Sequence, residues 1–301
     1  MNDTYYTALT DRGILSVSGA DSLAFLQGIV TNDIEKVSAN RAIYTAILTP
    51  QGKYLHDFFV AKFGDTFLLD CSTNQLGELT KRLKMYRLRA KVDIEDRSDD
   101  FAIFAIGGPN KLNFAGLAGT AGTTTEYGDG IAFVDPRLAE LGIRTIQPAS
   151  TATEIMNNAD LSLGNLDTYK ASQFSLGVPD GDSNEFLKQS FPLEIGFAEL
   201  NAISFDKGCY VGQEVTTRMK IRKLVKKRLV PVIFDGSAPA PGAVIHNQDK
   251  AAGQIFAANN ESGLAMIRLE TLDQVLNGDS KLATEETTLR ATKPAWFQIP
   301  E

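Results

Sequence analysis

Three apolar runs between residues 44 and 70 are joined by turns too short for a parallel arrangement. Residues 44–48 lead into Pro50-Gln51-Gly52, residues 54–61 into Gly64-Asp65, and residues 67–70 close the series. A parallel neighbour needs a crossover of about a dozen residues, so the segment is predicted to be an antiparallel meander.

Helical periods flank it. Residues 13–17 read as a strand, and a helix is expected from Asp21 as N-cap to Gly28, with Leu23 and Leu26 as its apolar stripe. Thr73 or Asn74 caps a second helix, in which Leu76, Leu79, Leu83 and Tyr86 recur at helical spacing. Strand alternation returns at Ala90, Val92 and Ile94, and residues 101–106, 131–134 and 143–146 are further strands. The Gly/Thr/Ala-rich stretch 116–125 reads as a flexible surface connection. Asp167 is expected to cap a helix to Leu176, stopped by Gly177 and Pro179. This mixture is α+β. Beyond about Lys223 the character changes, and residues 229–234, 243–246, 253–257 and 263–269 form short strands with turn signals between them, as in a small β-barrel.

At 301 residues the chain exceeds a typical domain, which predicts two or three packed units. No apolar stretch approaches the ~20 residues of a membrane helix, so no membrane partner is expected. The first twenty residues carry Arg12 against Asp3 and Asp11, unlike a secretory or Arg-rich transit segment. With only Cys71 and Cys209, a disulfide framework is not expected and a reducing, cytoplasmic setting is. A formal charge of −7 disfavours direct nucleic-acid binding, yet residues 81–91 and 218–228 are basic runs, the second with seven bases in eleven residues. Such a run is either a solvated strand face or a patch for a small polyanion or a defined macromolecular partner.

Most familiar chemistries are absent. His56 and His246 stand far apart, and there is no His-Glu-x-x-His, Cys-x-x-Cys or Asp-rich calcium loop, so no metal site and no stably bound metal are expected. Walker A, Gly-x-Gly-x-x-Gly and Gly-x-Ser-x-Gly are missing too. The informative segment is Lys207-Gly208-Cys209-Tyr210-Val211-Gly212-Gln213-Glu214, with Arg218 four residues further on. Two glycines around a cysteine permit a tight turn with exposed backbone N–H groups, and Lys207 and Arg218 are expected to stabilise a thiolate at Cys209. Cys71, at the end of an apolar strand, reads as a buried hydrophobe.

Lys-Gly-Cys-Tyr-x-Gly-Gln-Glu-x-x-x-Arg resembles the signature of the YgfZ family, which includes mitochondrial assembly factors for four-iron clusters. Phe25-Leu26-Gln27 with Thr31-Asn32-Asp33, Leu48-Thr49-Pro50-Gln51-Gly52-Lys53, residues 83–92, and Asp135-Pro136-Arg137 followed by Leu141-Gly142-x-Arg144 extend the resemblance over nearly the whole chain. It is weakest over 111–130 and after Gln248. Pro192-Leu193-Glu194-Ile195-Gly196 also resembles an element of the related glycine-cleavage aminomethyltransferases, the T-proteins.

The resemblance implies an aminomethyltransferase-like folate-binding fold in a three-lobed ring. Residues 1–222 would form two interleaved α+β subdomains and residues 223–301 a C-terminal β-barrel domain. The implied function is a tetrahydrofolate-binding accessory factor for assembly or repair of iron–sulfur proteins, with tRNA methylthiotransferases among its clients. Cys209 is the functional thiol and Asp57, by analogy with the enzymes' catalytic Asp, a carboxylate beside the folate. Lys207, Tyr210, Gln213, Glu214 and Arg218 complete the expected cofactor-binding set, and the basic runs are expected to attract a polyglutamylated folate tail. The enzymes' pteridine-holding Arg-x-Glu is replaced by Gln173 and Ser175, which argues against aminomethyl transfer. Two rivals stay open: a folate-dependent aminomethyltransferase or demethylase using Asp57, and a client-recruiting interaction module without catalysis.

Overall fold

The expected meander forms. In the computed structural model, which describes residues 3–117, 119–179, 185–278 and 281–297, β1 (Tyr5–Ala8) and β2 (Arg12–Ser18) come first. They are followed by α1 (Ser22–Gln27), β3 (Ile43–Leu48), β4 (Tyr54–Phe63), β5 (Thr66–Ser72), α2 (Thr73–Arg87) and β6 (Asp93–Asp96). Next are β7 (Phe101–Gly107), β8 (Thr124–Tyr127), β9 (Gly130–Val134), β10 (Ile143–Pro148), α3 (Ala152–Asn157), β11 (Ser162–Leu163) and α4 (Leu166–Ser175). Helices α5 (Glu185–Lys188) and α6 (Gln213–Ile221) precede β12 (Lys227–Phe234), β13 (Val244–Asn247), β14 (Lys250–Ala258) and β15 (Ser262–Arg268). Helix α7 (Leu269–Leu276), β16 (Leu282–Ala283) and β17 (Thr288–Ala291) complete the order.

Three sheets result. The meander is the flank of a five-stranded sheet, β3-β4-β5-β2-β6. Its core face meets α1 and α2 through Leu15, Leu26, Phe58, Leu69, Leu79 and Leu83. The second sheet runs β11-β1-β7-β10-β9-β8, with β1 and β11 parallel and the other pairs antiparallel. Because β1 belongs to the second sheet and β2 to the first, the chain stitches the two together within its first twenty residues. The third unit is a closed barrel, β12-β15-β14-β13-β16-β17. Tyr44, Phe59, Phe133, Phe197, Leu229 and Met266 share one buried core, so both sheets and the barrel pack on common ground. The fold is α+β with a C-terminal β-barrel.

Several local expectations are corrected. Asn165, not Asp167, caps α4, its side chain accepting from the Thr168 N–H at 2.8 Å; both residue types suit the position, and Asp167 falls inside the first turn. The N-cap of α2 is Ser72 rather than Thr73 or Asn74. The basic run 218–228 is not one strand: its first part ends α6 and its last two residues open β12. The stretch 116–125, whose residue 118 lies outside the described residues, is tied at its far end to the first sheet's margin. There Ala42 N–H donates to the Gly122 carbonyl at 2.8 Å. The expected outer ends of the two domains, residues 1 and 301, also lie outside the described residues.

Candidate functional site

Two of the glycine-bearing motifs interlock. Gly212, at φ +85° ahead of α6, lies so close to the Pro50–Gly52 turn that a Cβ there would sit 2.7 Å from the Thr49 carbonyl oxygen. Gly52, at φ +75°, faces Val215 of α6 in return, where an added Cβ would meet the valine Cβ at 2.8 Å. Only glycine meets both the backbone and the space requirement at these positions. The entry to α6 is thereby seated on the turn that starts β4.

The other end of the signature loop is held by Lys207. Its ammonium donates to the carbonyls of Gln27, Val30 and Asn32 at 2.8, 2.7 and 2.8 Å, saturating its three donors on the segment after α1. The side chain is buried, and burial pushes the ammonium down to about 8, with Asp33 and Glu35 opposing. This corrects the expected electrostatic role: Lys207 anchors the loop and has no donor left for the thiol. Its carbonyl partners, 175 to 180 residues away, left no signal in the sequence.

Between these anchors Cys209 is exposed, as is Gly208. Tyr210 turns inward, and burial pushes its phenol up to about 12. Gln213 is half-buried at the start of α6, while Glu214 and Arg218 project outward one helical turn apart. Cys71 is buried in the first core and its thiol is pushed up to about 12 by that burial, as a structural cysteine should be.

Asp57 is not part of this surface. It lies in β4, five residues beyond Gly52, or about 16 Å along the strand. It is buried, and both carboxylate oxygens are taken: Tyr44 donates to Oδ2 at 2.6 Å and Tyr54 donates to Oδ1. Burial, followed by the charge of Asp57, holds both phenols well above their ordinary value, so they stay protonated donors. Each oxygen keeps a second lone pair, but two phenol donors already serve the carboxylate. Ser175 is exposed, with its hydroxyl on the Ser172 carbonyl, and offers nothing inward. Ser175 therefore supplies no inward group in place of the enzymes' Glu. Gln173 is the exception, its Oε1 buried without a hydrogen-bond partner.

Gln173 borders a buried charged cluster that sequence reasoning noticed only as motifs. Asp70 of β5 accepts from Arg12 Nε at 2.6 Å and pairs with Arg144 of β10; Asp135 pairs with Arg137 at 2.8 Å. Arg137 and Arg144 both donate to the Tyr169 hydroxyl, at 3.4 and 3.3 Å, and both guanidinium groups cover the Phe59 ring, at 4.9 and 4.1 Å. Asp57 is buried alongside, bonded to Tyr44 whose ring Arg137 covers at 5.5 Å, so three guanidinium groups and three carboxylates share this interior.

Comparison with known proteins bears on both regions. The family described as "CAF17, C-terminal beta-barrel domain" matches residues 226–299, and the "GCVT N-terminal domain" matches residues 9–115. The chain is 31% identical to the mouse protein "Iron-sulfur cluster assembly factor IBA57, mitochondrial", covering 96% of this chain and 84% of that one. It is 30% identical to the human protein of the same name with the same coverage, and 31% identical to a homolog from Pyricularia oryzae over 93% of this chain and 76% of the other. The solved glycine cleavage system aminomethyltransferase T from Bartonella henselae shares the fold, with a TM-score of 0.73 at 13% identity over 98% of this chain and 86% of that one. The cytoplasmic expectation is corrected by the relatives, all of which carry mitochondrial names. A low cysteine count reports a reducing setting, not which reducing compartment.

Proposed function

The chain belongs to the family of the iron–sulfur cluster assembly factor IBA57, and on that premise we propose that it supports assembly or repair of iron–sulfur proteins through the thiol of Cys209. The observation that carries this reading is the contrast between an exposed Cys209, on a loop anchored at Lys207 and Gly212, and a buried Cys71. A thiol on a pinned loop meets an incoming protein in a fixed place. One cysteine cannot complete a cluster's four-thiolate ligand set, so the remaining ligands come from the protein that brings or receives the cluster. The YgfZ-like signature favours clients with four-iron clusters, among them tRNA methylthiotransferases.

Cys209→Ser tests this directly. The variant should fold as the parent does, since the side chain is exposed, yet fail to restore cluster-enzyme activity in cells lacking the endogenous factor. Alkylation at neutral pH should label Cys209 in the native protein and reach Cys71 only on unfolding. Full complementation by Cys209→Ser would end the reading.

Tetrahydrofolate binding is a second reading, favoured by the unpartnered Gln173 Oε1 beside the Tyr169 hydroxyl that Arg137 and Arg144 hold. It concerns binding alone, because the aminomethyltransferases' Arg-x-Glu is replaced here by Gln173 and Ser175. Titration with mono- and polyglutamylated tetrahydrofolate decides it, and a flat titration with both forms removes folate from the function.

A further inference from the structure

The outward face of α6 carries more than charge. Glu214, Arg218 and Ile221 are one turn apart and all exposed, so a continuous stripe runs along the helix away from Cys209. Nine residues give it a length of about 13 Å. Ile221, 75% exposed, ends the stripe, and Leu224 lies just beyond at 43%. Around them stand Arg218, Arg222 and Lys226, none of which has a carboxylate partner among the described residues. No acidic residue occurs from 215 to 228.

The way the helix ends points the same way. Leu224 N–H donates to the Met219 carbonyl at 3.0 Å and Lys223 N–H to the Lys220 carbonyl at 3.2 Å, the paired bonds of a Schellman stop. In that motif the residue holding the left-handed backbone is usually glycine. Here it is Lys223, at φ +52°. The left-handed turn at Lys223 stops the helix so that Leu224 follows Ile221 at the same exposed end.

We propose that this face docks a partner protein whose own surface presents an acidic rim around an apolar recess, with Ile221 as the anchor and the surrounding cations setting orientation. The proposal rests on the reading of Cys209 as the functional thiol, because docking along α6 delivers the partner to the loop that carries it. A bare polyanion would satisfy the cations but leave Ile221 and Leu224 in water. The exposed aliphatic centre therefore favours a protein over a nucleic acid, as does a chain of net charge −7.

The test uses the full chain and labelled probes. A helical peptide with two leucines ringed by glutamates should bind at least about tenfold more tightly than its lysine-ringed counterpart, and less tightly as salt rises. Ile221→Ser and Arg222→Glu, both at exposed positions, should each weaken the acidic peptide about tenfold. Equal binding of the two peptides, no effect of Ile221→Ser, or displacement of the acidic peptide by oligouridylate or by anionic lipid vesicles would overturn the proposal. Cys209→Ser keeps the failures distinguishable, because it should bind the acidic peptide as the parent does. If Cys209→Ser complements while Ile221→Ser does not, the thiol reading falls and docking stands. Loss of peptide discrimination with a non-complementing Cys209→Ser gives the reverse.

Discussion

At Lys207 a single buried cation ties the loop that bears the exposed thiol to the segment after α1. Burial lowers it to about 8 from the ordinary 10.5, so between those values the unfolded chain keeps a proton that the native loop sheds. Stability then rises with pH through that window, by at most about 1.4 kcal/mol per unit, and is lost as pH falls through about 8. From about 9 the Cys71 thiol, held up to about 12, pulls the other way, and above about 10 the buried phenols of Tyr44 and Tyr54 join it. Denaturant titrations from about pH 7 to 9 should show a steeper rise in the parent than in Lys207→Met. That variant should also lose about 1–3 kcal/mol at pH 7, since three carbonyls lose their donor. A parallel pH dependence in both proteins would mean that the anchor titrates elsewhere.

The elements differ in how openly the sequence announces them, and α6 is the instructive case. Arg218, Lys220 and Arg222 alternate with Met219 and Ile221, a period of two that imitates a strand, and nothing in the residue types marks the stop at Lys223. The helix exists because Gly212 permits its entry and the Schellman bonds close its exit, both of which are backbone events. The meander β3-β4-β5 was legible for the opposite reason: its turns are local and their residues chemically specific. The cap of α4 shifted because Asn165 and Asp167 are both competent and only backbone geometry chooses between them. The glycine rule at a helix stop makes a prediction of opposite sign to most substitutions. Lys223→Gly relieves the left-handed strain and should stabilise the protein by about 0.5–1 kcal/mol, net of the glycine's larger unfolded-state entropy. Thermal unfolding checks it; a lower midpoint would show that the Lys223 side chain contributes more to the fold than its backbone costs.

Across the whole molecule the three units are held at points far apart in sequence. The stitching of β1 and β2 into different sheets, and the clamp of Asp70 to Arg144 between those sheets, are invisible to local pattern. The Asp-Pro-Arg and Gly-x-Arg motifs were conspicuous, but their use depends on Asp70 and Tyr169, which only the assembled fold brings to them. Asp70 takes both Arg12 and Arg144, whereas Arg144 also lies 3.7 Å from Asp135. The two sides of the clamp are therefore unequal. Asp70→Asn removes the carboxylate that Arg12 and Arg144 share and should cost about 3–5 kcal/mol, the range expected when a buried charge loses its partner. Arg144→Met leaves Asp70 paired with Arg12 and Asp135 with Arg137, keeps much of the side-chain volume over Phe59, and should cost less, about 1–3 kcal/mol. Denaturant unfolding of the two variants at neutral pH measures the order. If Arg144→Met were the more damaging, then Arg144 acts through its Phe59 and Tyr169 contacts, and charge balance is not what governs this interior.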